Sequence, residues 1–178
     1  MESFGIVTEQ RTVRLERIFP GPIERVWAYL TESDKREKWL ARGEMDLRVG
    51  GKVELIFNNE RLSSDSQTPE RFKSAEGHVN KGHITRCEPP HLLAFTWGEN
   101  HFDNPSEVTF ELSPKGKDVL MIITHRRLSN RNGMVLVSGG WHAHTGVLAD
   151  VLNNEEPRPF WKTFLRLQEE YEKRIAPE

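Results

Sequence analysis

Apolar and polar side chains alternate along several short stretches of this chain and recur at helical spacing along others. The two periods divide it into strands and helices. Residues 12–19 place Val13 and Leu15 on one face and Arg14 and Glu16 on the other, which predicts a strand. Pro20-Gly21-Pro22 stops it, and Pro22 suits the first turn of a helix. Ile23, Val26, Trp27 and Leu30 follow helical spacing, so residues 22–31 read as an amphipathic helix. Ser33 or Asp34 can cap a second short helix with Trp39 and Leu40 at its end. Met45, Leu47 and Val49 then alternate with charged residues, Gly50-Gly51 supplies a tight turn, and Val53, Leu55 and Phe57 alternate again. This pattern predicts a hairpin.

Residues 58–81 are long, polar and weakly patterned, and contain Ser63-Ser64-Asp65-Ser66 and Pro69. A segment of that length in a compact chain is functional, mobile, or hides a short strand. Residues 72–79 fit such a strand. Strands follow at 82–88, 92–97, 106–112 and 119–126, with Pro89-Pro90 and residues 114–117 as breaks. Links this short are the mark of an antiparallel meander. Val137, Trp141, Thr145, Leu148 and Leu152 lie on one helical face. Residues 153–159 carry two prolines and interrupt it, and Phe160, Phe164, Leu167 and Tyr171 mark a final helix over 160–175. A one-sided antiparallel sheet needs a cover, and the long C-terminal helix is the element able to supply it. The expected class is α+β: a curved antiparallel sheet of about six or seven strands wrapped around that helix. One domain over 1–178 is expected, with 1–10 as an N-terminal extension and 157–178 as an additional C-terminal helix.

Composition narrows the function. The 178 residues carry 25 Lys and Arg against 27 Asp and Glu, a net charge of −2, so general electrostatic binding of nucleic acid is not expected. The single cysteine, Cys87, excludes an intrachain disulfide framework and a cysteine-cluster zinc site, and reads as a small buried filler. No apolar run approaches the roughly 20 residues that span a bilayer, and residues 1–10 lack the features of a secretory signal. A soluble cytoplasmic protein with no membrane partner is expected.

Several stretches resemble one family. RLERIFPGPIERVWAYLTESDKREKWL, beginning at Arg14, looks like the opening of the START-like, helix-grip superfamily (SRPBCC). More closely, it resembles the branch named after the activator of the 90-kDa heat-shock chaperone ATPase. DLRVGGKVEL from Asp46, GHITRCEPPHLLAFTW from Gly82 and GGWHAHTGVLADVL from Gly139 are similar to that branch's glycine hairpin, its strand–diproline–strand unit and its helix entered at Gly-Trp. The likeness covers most of residues 11–175; the long segment 58–81 and the helix after Pro157 depart from it. The resemblance implies a helix-grip fold with a cavity between sheet and long helix. It implies functions ranging from lipid and hormone binding through polyketide cyclisation and aromatisation to chaperone activation. Activators of that branch carry a further docking domain, for which this chain has no room.

In such a cavity Trp39, Phe57, Trp97, Phe110, Met121, Ile123, Trp141 and Leu148 are candidate wall residues, with Thr145 on the same helix face. Aromatic walls suit an apolar or planar ligand. His144, beside the Trp141–Leu148 face, and His125, on the strand face of Met121 and Ile123, are candidate polar groups. His142 and His144 point to nearly opposite sides of a helix and cannot chelate together, so no metal site is expected. No cofactor is expected either. Catalysis would need convergent polar groups, for which His83, Arg86, His125 and His144 are the candidates. Gly139-Gly140 weakens a helix by about 1 kcal/mol per glycine, and so marks a helix start, a kink, or a close approach to the sheet or a ligand. Ligand access is expected near 58–81 and 139–141. Three readings follow: a binding protein for a small apolar or aromatic molecule, a partner that stimulates a chaperone ATPase, and a cyclase-, aromatase- or hydrolase-like enzyme. A homodimer through the C-terminal helices is compatible with each.

Overall fold

The alternating stretches pair edge to edge into one seven-stranded antiparallel sheet in the computed structural model, which describes residues 2–64 and 67–178. Its strands are β1 (Ile6–Glu9), β2 (Thr12–Pro20), β3 (Lys52–Ile56), β4 (Val79–Glu88), β5 (Leu92–Trp97), β6 (Ser106–Lys115) and β7 (Asp118–Arg126). They lie in the order β1-β2-β7-β6-β5-β4-β3, so β2 sits beside the last strand, with Val13 opposite His125 and Leu15 opposite Ile123. The inward faces carry Val13, Leu15 and Phe19 from β2, Val108, Phe110 and Leu112 from β6, and Val119, Met121 and Ile123 from β7. Each such side chain, fully buried, contributes roughly 1.5–3 kcal/mol. Arg17 shares the inward parity of β2 and is not apolar; its guanidinium reaches the carbonyl of Ser3 at 2.9 Å.

Three expectations need correction. Residues 42–49 do not form a full strand of a hairpin. They touch β3 at two isolated bridges, Arg42 to Ile56 and Met45 to Val53, and Leu47 and Val49 are 41% and 70% exposed. Their alternation has no apolar layer to face. Residues 72–79 are not a strand: two 3-10 helices, Asn59–Leu62 and Glu70–Ala75, occupy the long segment, and β4 begins at Val79. The serine-rich part of that segment includes Asp65 and Ser66, which lie outside the described residues. The N-terminal extension contains β1, an edge strand whose four residues are all exposed and therefore show no hydrophobic period.

Helices α1 (Ile23–Thr31) and α2 (Ser33–Arg36) follow β2, and α3 (Arg131–Leu152) and α4 (Phe160–Arg174) end the chain. The long helix starts eight residues before Gly139, because the Asn130 side chain accepts from Gly133 N at 2.8 Å and caps it. Gly139 and Gly140 are thus interior to α3 and do not open it. α3 is buried around most of its circumference, with β2 on one side and α4 on another. The link between the two helices is fixed by Arg158, whose Nε and Nη2 donate to the Asp150 carboxylate at 2.7 and 2.6 Å. Phe72 stacks on Trp161 at 5.3 Å, and Ser63 Oγ accepts from Phe160 N at 3.0 Å. The long segment therefore packs on α4, and the apolar face of α4 is covered within the same chain.

Candidate functional site

Between the sheet and the N-terminal half of α3 lies a cavity of about 170 Å³. Leu40 follows α2; Phe57 follows β3; Trp97 ends β5; His125 comes from β7; Leu136, Val137, Gly140, Trp141 and His144 come from α3. Trp97 meets Trp141 and His125 edge to face and Phe57 at a tilt. Trp97 lies 5.4 Å from Trp141 and 5.7 Å from His125, and Phe57 lies 6.0 Å from Trp97. Such rings resist collapse into the space they enclose.

The wall unites five of the residues singled out in the sequence: Phe57, Trp97, His125, Trp141 and His144. The other six stand away from it. Trp39 is fully buried, and its Nε1 donates to the Tyr29 carbonyl at 2.7 Å. Phe110 packs edge-on behind Trp141 at 5.4 Å. Met121, Ile123 and Leu148 fill the core, and Thr145 Oγ1 donates to the Trp141 carbonyl at 2.6 Å. Leu40 and Leu136 were not singled out from the sequence; Val137 was read on the helix face and Gly140 as a close approach, but neither as a wall residue. Leu136 belongs to the part of α3 before Val137, which begins at the Asn130 cap and which the helix period read from the sequence did not include. Of the two segments expected at the mouth, 139–141 contributes Gly140 and Trp141 to the wall, and none of the described residues of 58–81 lines it.

Gly140 borders open space. A Cβ built on it would meet nothing within 4 Å, so no neighbour demands glycine at that position. The residue keeps cavity space open at a cost to the helix of about 0.5–1 kcal/mol. At Gly139, by contrast, a Cβ would touch Phe164 at 3.5 Å, an ordinary contact that brings α4 close.

The two wall histidines differ. Trp141 Nε1, a donor only, donates to His125 Nδ1 at 3.1 Å, so that nitrogen is unprotonated. His125 Nε2 then carries the proton and donates to Ser106 Oγ at 2.7 Å. Both ring nitrogens are committed, and burial pushes the pKa of His125 down to about 3. His144 Nδ1 donates to the Trp39 carbonyl at 2.8 Å, which leaves Nε2 as an acceptor. Nε2 has no partner and is not among the fully enclosed unpartnered atoms. Burial holds His144 at about 4, against the opposing effect of that backbone bond, so the ring is neutral near pH 7.

The remaining candidates lie elsewhere. His142 turns away from the cavity, with Nδ1 2.9 Å from the Tyr171 hydroxyl and Nε2 3.2 Å from Glu2. His83 and Arg86 sit on the exposed side of β4, paired with Glu99 and Glu88. Two of the four residues proposed for acid–base work are therefore outside the cavity. Cys87 is half-buried, and burial raises its thiol pKa. Among the described residues no group of three or more His, Cys, Asp or Glu side chains is placed to hold a metal ion, and no helix is long and apolar enough to cross a membrane.

Comparison with solved structures gives the same fold repeatedly. A protein of Bordetella parapertussis is 43% identical, with a TM-score of 0.82, over 99% of this chain and 93% of its own. CalU16 of Micromonospora echinospora is 22% identical, with a TM-score of 0.69, over 93% and 89%. The Aha1 dimer of Colwellia psychrerythraea is 16% identical, with a TM-score of 0.62, over 79% and 95%. The latter two likenesses show the helix-grip fold alone. No curated protein sequence matches. The family described as "Activator of Hsp90 ATPase homolog 1-like protein" matches residues 20–153, which run from the end of β2 through α3. The chain belongs to that family.

Proposed function

We propose that this protein binds a small apolar or aromatic molecule in the cavity between the sheet and α3, as a single-domain cytoplasmic binding protein without a catalytic role. One observation carries the reading: a cavity of about 170 Å³ whose wall holds six aromatic or aliphatic side chains, two neutral histidines and a helix glycine, Gly140, beside which the space is open. An engineered apolar cavity of about 150 Å³ suffices to bind benzene. Both wall histidines are neutral, and His125 has no free nitrogen with which to move a proton. Native mass spectrometry of the purified protein, with release and identification of any bound molecule, tests the reading. A reproducible extra mass whose removal lowers thermal stability supports it. Failure of small aromatic compounds to bind or raise the melting temperature rejects it.

The family membership favours a second reading, stimulation of a chaperone ATPase, because the matched residues 20–153 include the whole sheet from β3 onward and α3. An ATPase assay with a bacterial chaperone distinguishes the two; no stimulation at saturating protein rejects it. The Colwellia relative is a dimer, and the same native spectrum measures whether this chain is one.

A further inference from the structure

The free polar atoms of the cavity wall specify the ligand further, on the reading that the cavity binds a small molecule. We infer that the ligand is a monocyclic phenol, a single aromatic ring whose hydroxyl donates to Nε2 of His144.

Size sets the first limit. A volume of about 170 Å³ suits one six-membered ring with a few further heavy atoms and falls far short of a four-ring steroid. Charge sets the second. The wall has no Asp, Glu, Lys or Arg, so a carboxylate, phosphate or ammonium group would enter unpaired, which is costly. Hydrogen bonding sets the third. The indole N–H of Trp141 and both nitrogens of His125 are already paired. The proton on His144 Nδ1 is committed to the Trp39 carbonyl. Among the wall side chains two polar atoms are left without partners: the acceptor Nε2 of His144 and the donor Nε1 of Trp97. A hydroxyl both donates and accepts, so one group on the ring can serve either atom. A plain hydrocarbon would leave both unpaired and shielded from water, and sites built to bond a hydroxyl discriminate against such analogues.

Phenol and toluene have nearly the same shape and differ in the donor, and they are the probes. Titration of each into the unmodified protein, followed by tryptophan fluorescence, gives the two affinities. The expected result is a preference for phenol of about tenfold. In the nitrogen NMR spectrum of the same samples, the Nε2 resonance of His144 moves with phenol and stays with toluene. Trp97→Phe keeps an aromatic wall and removes the one free donor; it is expected to weaken phenol binding severalfold without altering that of toluene. Toluene binding as tightly as phenol, with the Nε2 resonance unmoved by either, would overturn the donor assignment while the cavity reading stands. Binding of neither probe would overturn the cavity reading and this inference with it.

Discussion

The indole N–H of Trp141 on α3 is bonded to Nδ1 of His125 on β7, 3.1 Å away and out of contact with water. This one bond joins helix to sheet at the cavity and fixes the tautomer of the imidazole, so that Nε2–H points to Ser106. Trp141→Phe preserves most of the packing against Phe110 and Trp97 but leaves Nδ1 unpaired. A loss of about 1–3 kcal/mol is expected in urea unfolding. Trp141→Ala should cost about 3–5 kcal/mol, because it also empties a core position. No loss in Trp141→Phe would mean that the hydrogen bond contributes nothing beyond volume, and equal losses for the two variants would mean that the filled volume adds nothing beyond the bond.

Acid should destabilise the protein well before its carboxylates titrate. Burial holds His125 at about 3 and both His142 and His144 at about 4, each below the ordinary value of 6.5. The unfolded chain therefore binds more protons than the folded one across that interval. Stability is fully present above pH 6.5 and falls as the pH drops toward 4, by up to about 1.4 kcal/mol per pH unit for each histidine. Urea midpoints at pH 7.5, 6 and 5 check the slope. A flat profile down to pH 5 would contradict the neutral, buried state of these rings.

Gly140→Ala should raise stability by about 0.5–1 kcal/mol, since the helix gains a better former and the new methyl group meets no neighbour. Gly140→Leu extends further into the cavity. It should abolish binding of any small aromatic compound while the protein stays folded. Thermal melts with and without compound separate the two effects, and undiminished binding in Gly140→Leu would place the ligand elsewhere.

Arg36 is wholly buried without a carboxylate. Its guanidinium donates to the carbonyls of Leu30, Thr31, Ala41 and Gly43, and so draws the loop after α2 into place. Burial lowers its pKa to about 10, still charged near neutrality. Arg36→Met should cost about 3 kcal/mol or more, since four inward carbonyls lose their donor. Arg36→Lys should recover little of it, because an ammonium has three hydrogens and no planar fork. Chemical denaturation of both variants tests this, and full rescue by lysine would show that charge alone suffices.

Legibility followed physics. Strands β6 and β7 and helices α1 and α4 were readable because each has one more buried and one wetter face, which imposes a period on the sequence, whereas β5, buried on both faces, was readable as a short apolar run between breaks. β1 was not, because an exposed edge imposes none. Leu47 and Val49 alternate yet face water, so pattern alone misled there. The start of α3 was hidden by Gly133 and by glycines that mimic a boundary. At the site, periodicity could pick out the inward faces but could not separate a ring that borders a cavity from one behind it. Trp39 and Trp141 both satisfy the pattern, and only the second lines the space. Arg17 shows the converse: it holds an inward position that its chemistry argues against, because the N-terminal arm supplies a carbonyl partner that no local pattern announces.

The pairing of β2 with β7 also orders events in time. Val13 finds its partner at His125, and the covering helix ends at Leu152. A ribosome must therefore release most of the chain before the sheet can close or its apolar face be sheltered. Contacts so distant along the chain make closure slow. The early strands wait with their apolar faces uncovered, in the state most exposed to aggregation. The duration of that exposure is set by the interval between synthesis of the second strand and arrival of the last.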